Sequence, residues 1–294
     1  MSLTPTAPQA AAPRQAAVIQ DISGLGRCSL AAALPVLAAL GVHACPVPTA
    51  VLTSQTGFSR FASFGCTPVL NEFPSVWKDL NVTLDAIYTG FMGSAAQLEA
   101  ARALMDAFRA PLVLIDPVLG DGGALYPCFG EEYLQAVRRF IARADVLTPN
   151  ITEACLLTGA DYAKFIAAHE DDQLELLKGM CEALPAKRIV ITGWVPAGRL
   201  GGCAAEAEGI IGNVVYNNGA VHVYTTPRIG GSYSGTGDLF AACLCGYLLR
   251  GVSPEIAVPR ITAFLEACLR SAKALGAPPE EGVPFELHLG MLIG

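Results

Sequence analysis

A chain of 294 residues that is 52% hydrophobic and only 15% charged is committed to a well-buried core, which excludes a disordered protein and suits one α/β domain. Its formal charge of −7, from 26 acids and 19 bases with no dense Lys/Arg run, excludes extended nucleic-acid binding, which rests on clustered bases that neutralise phosphates. A small anionic ligand stays open, because amides at helix N-termini hold phosphate without Lys or Arg.

Residues 1–15 are rich in Ala, Pro, Thr and Gln, lack the basic start and apolar centre of a secretory signal, and read as a disordered tail ahead of one domain over 16–294. Ala17–Gln20 reads as a strand, Cys28–Leu40 as a helix and Val42–Val47 as a second strand. The most apolar stretch, Leu30 to Val42, is too short for a bilayer and contains Pro35, so no membrane partner is expected. Leu84–Thr89 is a strand, Ser94–Phe108 a helix, and Leu112–Ile115 a strand running into Asp116-Pro117. Glu131–Ile141 is a helix, Val146–Leu147 a short strand, Thr152–Thr158 a short helix, Leu174–Leu184 a helix and Arg188–Thr192 a strand. Gly209–Tyr216 and Ala220–Tyr224, parted by Asn217-Asn218-Gly219, form a hairpin. Helices over Thr236–Arg250 and Pro254–Leu275 follow. The alternation predicts a mostly parallel central sheet with helices on both faces. The ten cysteines are scattered through apolar segments without a CxxC pair, which predicts reduced core thiols and a cytoplasmic protein.

In such a sheet, ligands bind beyond the carboxyl ends of the strands. Three segments there carry chemistry. In Ser234-Gly235-Thr236-Gly237-Asp238, glycines lead into an apolar helix, so several N–H groups and the helix dipole make an anion hole. Asp238 in its first turn can take a proton from an attacking hydroxyl; the alternative is a plain helix start. Asp116-Pro117-Val118-Leu119-Gly120-Asp121 sets two acids at a strand end, suited to Mg²⁺ or to a turn. Thr148-Pro149-Asn150-Ile151-Thr152-Glu153 opens a helix with a capping-box pattern, and Asn150 and Glu153 either cap it or orient metal-bound water and a triphosphate. A fourth segment, Gln20 to Ser29, has Gly24 and Gly26 but Ser29 in place of the third glycine. No acid follows Asp21 until Glu72, which disfavours a dinucleotide-binding fold; a P-loop is absent too.

Taken in this order, the segments resemble the ribokinase superfamily: Gly235-Thr236-Gly237-Asp238 its anion hole and base, Asn150 to Glu153 its NxxE motif. Asp116-Pro117-Val118 with Gly120-Asp121 is similar to the vitamin B6 and hydroxymethylpyrimidine kinase branch, and Thr53-Ser54-Gln55-Thr56-Gly57-Phe58 and Tyr88-Thr89-Gly90-Phe91 to the pyridoxal kinases within it. The resemblance, from Ala17 to Leu275, implies a ribokinase-like α/β fold and an ATP-dependent kinase acting on the 5'-hydroxymethyl group of pyridoxal, pyridoxamine or pyridoxine. It implies Asp238 as base, the amides of Gly235, Thr236 and Gly237 on the γ-phosphoryl group, and Asp121, Asn150 and Glu153 around Mg²⁺ and phosphates, with Asp121 and Glu153 as the metal's acids. It further implies Thr148 and Thr192 at the nucleotide, Asp21, Thr56 and Phe91 at the pyridine ring, Ile229–Ser234 as a flap over ATP, a monovalent cation such as K⁺, and a homodimer. Two departures stand out: Asp21 replaces the Ser typical of pyridoxal kinases, which favours an amine-bearing or protonated substrate or a pyrimidine, and a short connection after Thr192, with Gly193-Trp194, replaces the usual polar nucleotide-site residues. The alternatives are a hydroxymethylpyrimidine or phosphomethylpyrimidine kinase of thiamine synthesis, a sugar or nucleoside kinase of the wider superfamily, and a non-catalytic B6-vitamer-binding protein.

Overall fold

The computed structural model describes residues 12–197 and 209–293. Strand β1 (Arg14–Ser23) leads through a short loop into helix α1 (Ser29–Ala39), and β2 (Val42–Leu52) returns beside β1. After β3 (Ser63–Gly65), α2 (Thr67–Leu70) and α3 (Phe73–Asp79), strand β4 (Ala86–Thr89) pairs with β1 on its other side. Helix α4 (Ala95–Phe108) then precedes β5 (Leu112–Ile115), and β6 (Gly120–Asp121) and β7 (Ala124–Leu125) form a separate small hairpin. The chain continues through α5 (Glu131–Phe140), β8 (Val146–Leu147), α6 (Ile151–Thr158), α7 (Tyr162–Ala167), α8 (Glu170–Ala183) and β9 (Arg188–Trp194). The antiparallel pair β10 (Ile210–Asn217) and β11 (Ala220–Pro227) precedes α9 (Thr236–Leu249) and α10 (Pro254–Leu275).

Nine strands form one sheet in the order β11-β10-β9-β8-β5-β4-β1-β2-β3. From β2 to β9 all neighbours are parallel, and only the margins turn antiparallel. Parallel strands lie covered on both faces and so read as continuous apolar runs, and Ala16 to Ile19, Ile87, Leu114 and Ile115 are all at most 1% exposed. One core joins the sheet to α4, α5, α6 and α8; the other joins it to α1, α9, α10 and the segment holding Val283 and Phe285. The chain runs from β1 to β2 in one direction and then to β4 in the other, so the order reverses between β1 and β4. The crevice beyond that reversal is where a sheet of this kind takes a ligand.

Several boundaries differ from the expected ones. Arg14 and Gln15, assigned to the tail, already pair with Val42 and His43, and Asp85 receives both the Arg14 guanidinium and the Gln15 N–H; residues 1–11 lie outside the described residues. Strand β2 runs five residues past Val47 despite Pro46 and Pro48, because β3 pairs only with Ala50 to Leu52 and leaves the outer edge ahead of them open. Gly193-Trp194 are not a connection but the end of β9: the Trp194 ring is in the core, and its Nε1–H donates to Gln173 Oε1 at 3.0 Å. The predicted hairpin forms, with Asn218 and Gly219 at φ of 49° and 95° supplying its tight turn. The nine described cysteines are free thiols; Cys203 lies outside the described residues. No described helix is long and apolar enough to cross a membrane.

Candidate active site

Helix α9 starts at Thr236, with Gly235 as its N-cap at φ 79°. A Cβ on Gly235 would stand 1.9 Å from the Arg27 carbonyl oxygen, so both the backbone conformation and the close approach demand glycine. The first turn of α9 is thereby pressed against the entrance of α1. Asp238 stands in that turn, part-buried, and its Oδ2 accepts the Ser29 N–H at 2.8 Å. Two helix N-termini therefore converge on one carboxylate. Burial pushes the Asp238 carboxyl up to about 7, the Ser29 amide opposes this, and the like charge of Asp21 adds to it. Among the described hydrogen bonds Oδ1 takes none, which leaves one oxygen free for a proton.

A second acid group stands at the ends of β5 and β8. Asp116 is buried; Thr148 Oγ1–H donates to its Oδ1 at 2.9 Å. Burial first, then the charges of Glu153 and Asp238, push the Asp116 carboxyl well above the usual carboxylate range. Asn150 and Glu153 make a complete capping box: Asn150 Oδ1 accepts the Glu153 N–H and Glu153 Oε2 accepts the Asn150 N–H. Glu153 Oε1 accepts the Leu119 N–H at 3.0 Å, so both of its oxygens are bound to backbone. Burial still raises this carboxyl. Asn150 Nδ2–H donates to the Gly120 carbonyl at 2.9 Å and Thr152 Oγ1 accepts the Gly123 N–H at 2.9 Å. The start of α6 thus buckles the β6–β7 hairpin to the sheet edge. Asp121, on that hairpin, is exposed, and its Oδ1 accepts the Gly122 N–H. Thr192 bridges Asn150, its N–H donating to the Pro149 carbonyl at 2.9 Å. Among the described residues no three His, Cys, Asp or Glu side chains form a metal cage. The two acid groups share one neighbourhood: the Tyr126 hydroxyl is pushed up by burial and by Glu153, Asp121, Asp116 and Asp238 together.

The third group lies across the β1–β4 reversal. Asp21 falls inside β1 and is 5% exposed; Ser29 Oγ–H donates to its Oδ1 at 2.6 Å and Ser23 Oγ–H to its Oδ2 at 3.2 Å. Phe91 follows β4; its carbonyl accepts from Thr49 Oγ1 and its ring lies 5.8 Å from that of Phe129. Thr56 is exposed on the loop after β2. Its neighbour Gln55 is buried and joins three segments: Nε2–H donates to the Glu280 carbonyl at 2.7 Å and to Ser234 Oγ at 3.2 Å, and Oε1 accepts the Gly57 N–H. Ser234 N–H donates to the Pro279 carbonyl at 3.0 Å and anchors the end of the expected flap.

The structure thus gathers Asp21, Asp116, Asp121, Thr148, Asn150, Glu153, Thr192 and the Gly235–Asp238 turn along one sheet edge, with Thr56 and Phe91 on loops of that edge. Ser29 and Gln55, inside segments noted in the sequence, were given no role there. In the sequence Gln55 carried no signal beyond standing two residues before Gly57, and Ser29 none beyond interrupting a glycine pattern.

Comparison with known proteins bears on what this edge does. The thiamine biosynthesis bifunctional protein ThiED of Geobacter sulfurreducens is 28% identical over 255 residues, covering 85% of this chain and 48% of that protein, so the chain spans about half the length of that relative. The pyridoxine/pyridoxal/pyridoxamine kinase of Bordetella avium is 31% identical over 257 residues, covering 82% of this chain and 80% of that one. A candidate phosphomethylpyrimidine kinase of Bacteroides thetaiotaomicron, solved in a form with pyridoxal, superimposes with a TM-score of 0.83 at 33% identity over 95% of this chain and 96% of its own. The fold is ribokinase-like, as the sequence motifs implied. The pattern described as phosphomethylpyrimidine kinase matches residues 26–281, and the chain belongs to that family.

Proposed function

We propose that this protein transfers the γ-phosphoryl group of ATP to the hydroxymethyl group of a small heteroaromatic ring, with a B6 vitamer as the substrate. The observation that carries the reading is Asp238: a carboxylate with one free oxygen, in the first turn of α9, beside the amides of Gly235, Thr236 and Gly237. The substrate hydroxyl gives its proton to Asp238, its oxygen bonds to the γ-phosphorus, and the bond to the bridging oxygen breaks to leave ADP. The amides meet the negative charge of the transferring group. Asp21 and Phe91, flanking the β1–β4 reversal, and Thr56 on the loop after β2 are assigned to the ring; Thr148, Asn150 and Thr192 to the nucleotide.

Mg²⁺ would neutralise phosphate charge at this edge. The donors fit an ion carried in on the triphosphate and kept largely hydrated, which is how Mg²⁺ ordinarily binds, and not a protein cage. Asp121 is the exposed acid able to reach such an ion, and Glu153 acts by holding the Gly120 loop. The Bordetella relative and the pyridoxal-containing Bacteroides structure support the B6 reading. The Geobacter relative supports a second, hydroxymethylpyrimidine or its phosphate as acceptor. ADP release measured with pyridoxal, pyridoxamine, pyridoxine, hydroxymethylpyrimidine and hydroxymethylpyrimidine phosphate separates them. The highest kcat/KM is expected on a B6 vitamer; preference for the pyrimidine installs the second reading, and no turnover on any of them defeats both.

A further inference from the structure

Ser29 is the first residue of α1, 7% exposed, and holds a φ of 49°. That is the left-handed region, which a residue with a Cβ enters only at a cost and keeps only where its surroundings impose it. They do so here. The Arg27 N–H donates to the Glu281 carbonyl at 3.0 Å, the Gly235 backbone lies against Arg27 and Cys28, and a Cβ on Gly282 would stand 2.9 Å from the Arg27 side chain. In this fixed posture Ser29 sends its two donors to two different acids. Its N–H reaches Asp238 Oδ2 at 2.8 Å, and its Oγ–H reaches Asp21 Oδ1 at 2.6 Å.

We propose that Ser29 is a positioning residue that locks the Asp21 and Asp238 carboxylates into one rigid unit, so that the residue seating the ring and the residue taking the proton are aimed together. The inference rests on the reading of Asp238 as the base. A carboxylate in the first turn of α9 is otherwise free to rotate about its side chain; the Ser29 amide holds Oδ2 and so presents Oδ1. The hydroxyl ties that same backbone to β1, the strand next to the order reversal. Helix α1 is thereby registered on the sheet at the point where substrate and base must meet.

Ser29→Ala keeps the amide and removes the hydroxyl. A hydrogen bond to a charged group sets the scale of the loss, and kcat is expected to fall roughly ten- to 150-fold with the KM for ATP unchanged. Ser29→Asn, a residue that tolerates positive φ and supplies a donor, is expected to recover part of it. In an Asp238→Asn background, Ser29→Ala is expected to change kcat less than about twofold, since a residue acting through the base has nothing left to position. If Ser29→Ala fails to fold, Ser29→Gly, which is relaxed at this φ and keeps the N–H, takes its place in the same comparisons. A parental kcat in the folded variant, a lowered melting temperature or raised substrate KM without loss of kcat, or a full-sized effect in the Asp238→Asn background would each overturn the proposal. Near-normal turnover by Asp238→Asn alone would instead remove the base reading beneath it.

Discussion

Asp238 and Glu153 are both carboxylates in the first turn of a helix at the same sheet edge, and burial raises both, yet the backbone claims them to different extents. Both Glu153 oxygens already accept backbone N–H groups: one caps its own helix and the other secures the Leu119 amide of the preceding loop. Asp238 gives one oxygen to Ser29 and keeps the other. On the proposed reading, the number of backbone donors that reach a helix-start acid separates the fastener from the reactive group, and its position in a motif does not tell which. Asp116 lies outside this pair: among the described bonds no backbone donor reaches its carboxylate, which is held by the Thr148 hydroxyl alone.

The largest test of this contrast is Asp238→Asn. The amide preserves shape and the contact with Ser29, so the protein should fold and bind ATP. A positioned base contributes roughly 10²–10⁴ in rate, and the loss should be of that order in a coupled ADP assay, with ATP affinity by calorimetry nearly unchanged. A small rate loss would place Asp238 with the fasteners.

Glu153→Gln probes the other side. From sequence, glutamine keeps much of the capping; in the structure both oxygens accept N–H groups, and an amide NH₂ leaves one of those donors without an acceptor. The unpaired group costs about 1–3 kcal/mol, or roughly 2–10 °C in melting temperature for a chain of this size. Calorimetric scans that show no drop, together with a raised Mg²⁺ requirement for half-maximal rate, would make Glu153 a metal-organising acid instead.

The finest distinction is in pH. Asp238 must be ionised to take a proton, so with its carboxyl at about 7 the rate should climb through that pH and fall about tenfold per unit below it. The sign for stability is opposite. The folded state retains a proton that the unfolded chain gives up near 4, so this group's contribution is present at acid pH and is lost as pH rises toward 7. Asp21 adds like charge, and Asp21→Asn should move the lower limb of the pH–rate profile down by several tenths of a unit. An unmoved limb would show that Asp21 and Asp238 do not sense one another.

Much of this was legible in the residues. Asp116 directly follows a short apolar strand and Glu153 starts the helix after the next one, and in a parallel sheet those positions share one edge, so order along the chain became proximity in space; Asp238 was legible from its glycine turn at the start of α9 instead. The glycine before Thr236 was readable as a turn because only glycine permits it. What escaped was of two physical kinds. Pro46 and Pro48 hid the second half of β2, since open-edge tolerance for proline depends on a neighbouring strand being short. Ser29 and Gln55 escaped because each joins a near partner, Asp21 or Gly57, to one 209 or at least 179 residues away, and the joining role exists only once the distant partner arrives. Trp194 looked like a loop residue after a strand, and its burial depends on Gln173 across the core.

The junction around Gln55 has a consequence for how the molecule comes into being. The segment before Gly235 is braced by the Pro279 carbonyl on Ser234 N–H and, through Gln55, by that of Glu280, and the Arg27 loop by that of Glu281. These struts leave the ribosome well after β1 to β5 and their helices, which can associate long before. During synthesis the sheet and both acid groups can therefore assemble around a phosphate loop that still lacks its brace. Contacts of such long sequence separation form late, because closing the loop must precede any gain from it. The nascent protein would then hold its proposed chemistry in an unready state until the end of α10 has emerged and residues 279–282 have docked, which ties the moment of competence to a segment that plays no direct part in the proposed reaction.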